Sequence, residues 1–142
     1  MTRIFWDTNL FVYFFQDYGE ESRQIHALRK RMIERGDELV TSTLTVAELM
    51  VKPERERRPD ISNAYEKTLR ESATIVPFDL RSARNYARIR ANPTRKIAPA
   101  DAIQLACAAT AQVDLFLTND AQLDGFRIEG IHFVTTLKKA PL

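Results

Sequence analysis

The sequence predicts an α/β domain built on a parallel sheet. Short β-type runs alternate with stretches of helical apolar spacing along the whole chain, which is the pattern of strands joined by crossover helices. No repeat or low-complexity tract interrupts them, and 142 residues with 44% hydrophobic content suit one domain, residues 1–142, around a substantial core.

Each element has its own signal. Arg3 to Trp6 reads as a strand, and Leu10 to Gln16 as a short apolar helix after an Asp7-Thr8-Asn9 turn. Glu20 to Arg35 carries Ile25, Leu28, Met32 and Ile33 at helical spacing, with acids in its first turn, a base in its last and Gly36 as C-cap. Glu38 to Thr41 is a strand, Val46 to Val51 and Ser62 to Ser72 are helices, and the charged stretch Lys52 to Asp60 reads as a surface connection between them. Ala73 to Phe78 resembles a strand stopped by Pro77 and Asp79. Leu80 to Ala91 and Pro99 to Gln112 are helical, the second with Pro at its first position, and Leu115 to Leu117 and His132 to Val134 are strands.

Composition removes several function classes. Cys107 is the only cysteine, so no internal disulfide can form, and its Ala-rich setting favours packing over thiol chemistry. No GxxxxGK[ST], GxGxxG, HExxH or paired-cysteine pattern is present, and His26 and His132 are isolated, each at a position suited to packing. The N-terminus lacks the order of a secretory signal, and the longest apolar stretch is broken by Asp7 and Gln16. The expected location is therefore cytoplasmic, with no membrane association.

The segment RIFWDTNLFVYFF sets the central question, because Asp7 interrupts what would otherwise be one buried run. A buried carboxylate needs an element end, a partner or a cation. Three more acids sit where the predicted elements would bring them to the same edge: Glu48 and Asp101 open helices, and Asp120 follows the strand LFLT. In a parallel sheet, ligands bind beyond the carboxyl ends of the strands. Each acid also has a local reading. Asp7 can cap the next helix, and Glu48 can close a capping box on Thr45. Asp101 can answer the helix dipole after Pro99, and Asn119 or Asp120 can cap the segment before Leu123. Capping needs no common edge, whereas a divalent cation needs hard oxygen ligands from several elements at one point.

The motifs FWDTN, TVAEL, PADAIQLACA and LTND, in this order and spacing, resemble those of PIN-domain ribonucleases, and most of all the VapC-type toxins of toxin–antitoxin pairs. The resemblance covers essentially the whole chain. It implies a three-layer α/β/α sandwich with a central parallel sheet and a Mg²⁺- or Mn²⁺-dependent endoribonuclease acting on RNA. It further implies frequent homodimers and a small cognate antitoxin as inhibitor. On this resemblance Asp7, Glu48, Asp101 and Asp120 are the catalytic and metal-binding set, with Asn9 and Thr118 supporting them by hydrogen bonds.

Charge adds a second feature. From Leu80 to Ala100 there are six basic residues and no acid, although the net charge is only +2. Arg81, Arg84 and Arg88 would share one helical stripe, able either to guide RNA phosphates or simply to face solvent. The aromatic group Phe11, Tyr13, Phe14 and Phe15 fits core and dimer interface better than base stacking. Two other classes are open at this level. One is an inactive module of the same fold that holds RNA or a partner without cutting. The other is a phosphotransfer receiver, which would need paired acids after the first strand, and here Asp7 stands without an adjacent acid.

Overall fold

The computed structural model describes residues 2–141. Five strands, β1 (Arg3–Trp6), β2 (Glu38–Ser42), β3 (Thr74–Val76), β4 (Val113–Thr118) and β5 (Ile131–Thr136), form one sheet of order β3-β2-β1-β4-β5, parallel at every pairing. Six helices connect them: α1 (Thr8–Phe15), α2 (Glu20–Arg35), α3 (Thr43–Arg55), α4 (Pro59–Ser72), α5 (Leu80–Arg90) and α6 (Pro99–Ala111).

Strand alternation sorts the core into two layers. On β1, Ile4 and Trp6 face one side with Leu39, Leu115 and Leu117, and there they meet Leu10, Phe11, Ile25, Leu28, Met32, Leu49 and Leu69 from α1 to α4. Phe5 faces the other side with Val40 and Phe116, against Ile89 of α5 and Ala102, Leu105, Ala106 and Ala109 of α6. Phe5 and Phe116, neighbours across the β1–β4 pairing, stack at 5.0 Å with their planes 9° apart. Both faces of the sheet are covered at its centre, which is why IFW of β1 and LFL of β4 read as continuous apolar runs. The expected α/β/α sandwich is the architecture observed.

Strand ends shift by one or two residues from the sequence expectation, and three other boundaries differ in a way that matters for the site. First, α1 begins at Thr8, because the Asp7 carboxylate accepts the Thr8 N–H at 2.8 Å and starts the helix directly from β1. Second, α3 begins at Thr43 with Ser42 as its N-cap, the Ser42 hydroxyl accepting the Thr45 N–H at 3.4 Å. Thr45 thus lies inside the helix, and no capping box with Glu48 forms. Third, Lys52 to Asp60 lies at the surface except for Pro53, but it is mostly helical rather than a plain connection. It holds the last turn of α3, including the buried Pro53, then a link of Glu56 to Arg58 with Arg57 at φ 54°, then the start of α4. Proline is tolerated there because its ring buries and its missing donor affects only the end of the helix.

The aromatic group after β1 is core: Phe11 is buried, and Phe14 and Phe15 pack against Trp6, His26 and Tyr65. His26 stacks on Phe14 at 4.6 Å, and His132 lies 3.2 Å from Asp114, so both histidines serve packing and surface pairing. Burial pushes the Cys107 thiol up to about 11, far from a reactive thiolate. No helix among the described residues is long and apolar enough to cross a membrane.

Two glycines separate backbone freedom from close approach. Gly36 ends α2 at φ 73° with open space where a Cβ would stand, whereas at Gly130, φ 102°, a Cβ would lie 2.5 Å from the Ala109 carbonyl oxygen. Gly36→Ala should cost about 1 kcal/mol in urea unfolding and Gly130→Ala at least about twice that, since a clash adds to the backbone term. Equal losses would show that the α6–β5 approach is not a steric constraint.

Candidate active site at the switch point

Strand order reverses direction between β1 and β4: the chain runs outward from β1 through β2 to β3, then returns to place β4 and β5 on the other side. A crevice opens at the carboxyl ends of strands flanking such a switch point. Asp7 lies there, at the end of β1, and its N–H donates to the Leu117 carbonyl of β4 at 2.9 Å.

Asp7 is 7% exposed and fully tied down. Its Oδ1 accepts the Thr8 N–H and, at 3.4 Å, the Gln104 amide; its Oδ2 accepts the Thr118 hydroxyl at 2.8 Å. Thr118 Oγ1 in turn accepts the Asp120 N–H at 3.0 Å, so one hydroxyl links the ends of β1 and β4. Burial pushes the Asp7 carboxyl up to about 6. The bonds from Thr118 and Thr8 hold it back, and the charges of Asp101 and Glu48 raise it further.

The other three acids surround it from separate elements. Asp101 is half-buried in the first turn of α6, and no hydrogen bond or ion pair engages its carboxylate among the described residues. Its pKa is raised by burial and then by the charges of Asp120 and Glu48. Glu48, exposed on α3, accepts the Thr8 hydroxyl on Oε1 at 2.7 Å. Asp120 caps the short 3₁₀ turn Ala121–Leu123 through Oδ1, which takes the Gln122 N–H at 2.9 Å. For Asp7 and Asp120 the capping reading and the shared edge therefore hold together.

The acids form an electrically coupled group rather than a closed cage. Asp7 senses Asp101 and Glu48, and Asp101 senses Asp120 and Glu48, yet among the described residues no three His, Cys, Asp or Glu side chains are gathered closely enough to enclose a metal ion as they lie. Their chemistry suits one: four hard oxygen donors whose mutual repulsion a divalent cation would relieve. Asp7 is the fixed member, and the less buried Glu48, Asp101 and Asp120 are those with room to turn toward it.

Two clefts of about 510 Å³ lie elsewhere, along Gly125 to Val134 and along Phe14 to His26. The acids occupy an open rim instead. An extended polymer chain needs a rim, whereas a small metabolite needs an enclosure.

Asn9 makes no hydrogen bond to any of the four acids, and its Oδ1 is buried without a partner. The arginine stripe runs along α5, antiparallel to α6. Ser82 and Asn85 touch Thr110 near the end of α6, and Arg90 bonds the Ile97 carbonyl just before its start. Arg88 is thus about 10 Å nearer the Asp101 end than Arg81. Arg90 and Lys96 line an open cleft of about 580 Å³ leading to α6.

A set of uncharged residues beneath the acids is not evident from sequence motifs. Gln104, 1% exposed, bonds Thr8 and Thr45, and Ser42 and Thr41 complete the cluster. The available signal is that Gln104 is the only polar side chain between Asp101 and Thr110, one helical turn from Asp101.

A parallel α/β/α sandwich with carboxylates at its switch point is a definite class of domain. The PIN domain family model matches residues 4–128, and the chain belongs to that family. Such domains are generally nucleases and typically use divalent metals. Among solved structures, DNA-bound VapBC from Salmonella typhimurium matches with a TM-score of 0.73 at 20% identity, covering 96% of this chain and 99% of that one. VapBC2 from Rickettsia felis, bound to a promoter DNA fragment, matches at 0.69 and 15% identity over 94% and 98%. VapBC-5 from Mycobacterium tuberculosis matches at 0.59 and 21% over 96% and 99%. At these identities the likeness is one of fold. No curated protein matches the sequence.

The raised Asp7 pKa carries a stability consequence. The folded protein holds this proton more tightly than the unfolded chain, whose carboxyl titrates near 3.8. Metal-free stability from this group therefore falls as pH rises from about 4 to about 6, and at pH 7 the cost is on the order of 3 kcal/mol. Asp7→Asn should raise the metal-free melting temperature at pH 7, and by less at pH 4.5. A gap that fails to widen between these pH values would show that Asp7 is not held at elevated pKa.

Proposed function

We propose that this protein is a divalent-metal-dependent endoribonuclease, the VapC-type toxin of a toxin–antitoxin pair, hydrolysing RNA phosphodiester bonds. The observation that carries this reading is the convergence of Asp7, Glu48, Asp101 and Asp120 on the switch point of a PIN fold, with Asp7 buried and the rim open. Asp7 and Asp101 would hold Mg²⁺ or Mn²⁺ as principal ligands, and Glu48 and Asp120 would hold it directly or through water. When bound, such an ion supplies a Lewis acid for the phosphodiester and lowers the pKa of a bound water.

The protein's own part is orientation. Thr118 and the Thr8 N–H fix both Asp7 oxygens, so this carboxylate presents one geometry. Glu48 Oε1 is taken by Thr8, which leaves Oε2 to accept a hydrogen bond from the attacking water. The basic face of α5, with Arg88 toward the acids and Arg81 away from them, would steer phosphates along the rim. The VapBC likenesses support a small antitoxin as partner, and the reading includes a homodimer, as the resemblance implies.

Purified protein should cleave RNA with Mg²⁺ or Mn²⁺ and lose all cleavage in excess chelator. Full activity in chelator would refute the metal mechanism, and tight RNA binding without cleavage would favour an inactive module. Asp101→Asn should abolish cleavage, leave metal-free thermal stability equal or higher, and shrink the stabilisation gained on adding Mn²⁺. Were Asp101 only a helix-dipole charge, the same change would cost up to about 1 kcal/mol and leave the Mn²⁺ response intact.

Replacing Arg81, Arg84 and Arg88 together with Gln should weaken RNA binding, measured in chelator, and reduce the salt slope by about 2. Because of its position, Arg88→Gln alone should weaken binding more than Arg81→Gln. An unchanged slope in the triple variant would mean that the stripe is only a solvated face.

A further inference from the structure

Beneath the acids, each hydroxyl of the buried polar cluster has one proton, and the hydrogen bonds determine where each proton goes. Ser42 Oγ accepts the Thr45 N–H, so its proton goes to Gln104 Oε1. That turns Gln104 Nε2 toward Thr45 Oγ1 at 2.8 Å and Thr8 Oγ1 at 2.9 Å, with Asp7 Oδ1 more distant at 3.4 Å. A flipped amide would aim its carbonyl oxygen at the Asp7 carboxylate, two acceptors facing each other, so only one orientation is consistent. Thr41 Oγ1 divides its one proton between Thr45 Oγ1 at 2.8 Å and the Trp6 carbonyl at 3.0 Å. Thr8, accepting from Gln104, has its proton left for Glu48 Oε1 at 2.7 Å. Glu48 is exposed, and this hydroxyl is the only hydrogen-bond partner of its carboxylate among the described residues.

We propose that Gln104 is a positioning residue: through Thr8 it aims Glu48 at the acid rim, in service of the metal-dependent cleavage proposed above. The device works by occupying competitors. Thr45 Oγ1 lies 3.2 Å from Thr8 Oγ1 and is the alternative acceptor for the Thr8 proton. With Gln104 donating to both hydroxyls, Thr45 is already supplied and Thr8 turns to Glu48. Without Gln104, Thr45 has only the Thr41 hydroxyl, which it shares with the Trp6 carbonyl, so it recruits the Thr8 hydroxyl and releases Glu48 to solvent. Gln104 is also one turn from Asp101 on α6, so a single rigid helix sets the positions of one acid directly and of another by relay.

The test compares Gln104→Leu, Thr8→Val, their double variant and Thr8→Ser, with Cys107→Ala as a core change elsewhere on α6. Mn²⁺ affinity by calorimetry should fall about 10- to 100-fold in Gln104→Leu and in Thr8→Val, the size seen when partners of metal ligands are removed. The kcat for RNA should fall by a similar factor with KM within about twofold. The double variant should be no worse than either single one, because both cut the same relay. Thr8→Ser should restore affinity and kcat, and Cys107→Ala should lower the melting temperature without moving either.

A metal-free crystal structure of Gln104→Leu supplies a readout independent of activity: the Thr8 hydroxyl should have turned to Thr45 and left Glu48. Glu48 still bonded to Thr8 in that structure, additive losses in the double variant, or no rescue by Thr8→Ser would each overturn the relay. Wild-type protein that neither binds Mn²⁺ nor cuts RNA would instead refute the nuclease reading and, with it, the role assigned to Gln104.

Discussion

The carboxylate of Asp7, buried where the sheet changes direction, is the constraint on which the rest of the site depends. A charge in that position is costly, and the surrounding structure offsets the cost with a backbone N–H and the Thr118 hydroxyl, the Gln104 amide dipole adding to them from 3.4 Å. Those partners come from α1, β4 and α6, so fixing one carboxylate also fixes how three elements meet. The residual strain is visible in the raised Asp7 and Asp101 pKa values, each due first to burial and then to neighbouring acids. A group of acids held against its own repulsion is poised for a cation, which is the physical link between this fold and metal chemistry.

The core makes that placement possible. The α6 helix is rich in small buried residues, Ala102, Ala106, Cys107, Ala108 and Ala109, and these let it lie close to α5 and the sheet. Gly130 allows the same closeness at the far end, where nothing larger than hydrogen fits against the Ala109 carbonyl. Close approach brings Gln104 within hydrogen-bond range of residues from α1 and α3, a reach that a bulkier helix surface would prevent. Ser42, Thr41, Thr45 and Gln104 are all essentially inaccessible to water, yet each finds a partner, so the polar cluster forms a buried, satisfied base under a more exposed rim.

Rim and base divide the work. Asp7 and the cluster beneath it are fixed, while Glu48, Asp101 and Asp120 keep enough exposure to adjust. The basic block follows the same geometry: α5 descends toward the start of α6, so its positive charges approach the acids progressively rather than facing them as a sheet of charge. Alternating negative rim and positive flank is the charge pattern that suits a phosphate chain bridged by a cation.

The sequence by itself determined the elements, the parallel sheet and the expectation that four acids share one edge. These depend on local properties: apolar period, cap residues, and the rule that a carboxylate inside an apolar run must lie at an element end. Even there, local reasoning placed the start of α3 too late and mistook its last turn for a connection, because Ser42 and Thr45 are both plausible caps and only the β2–α3 junction selects Ser42. The tertiary structure alone decided the strand order, the coupling among the acids and the hydrogen-bond partners of Gln104. Gln104 meets Asp7 and Thr8 across more than ninety residues of sequence, and the direction of its bonds is set by which lone pairs the other hydroxyls have left free. No period or motif encodes that choice; it follows from donors and acceptors that become neighbours only when the helices have packed on the sheet.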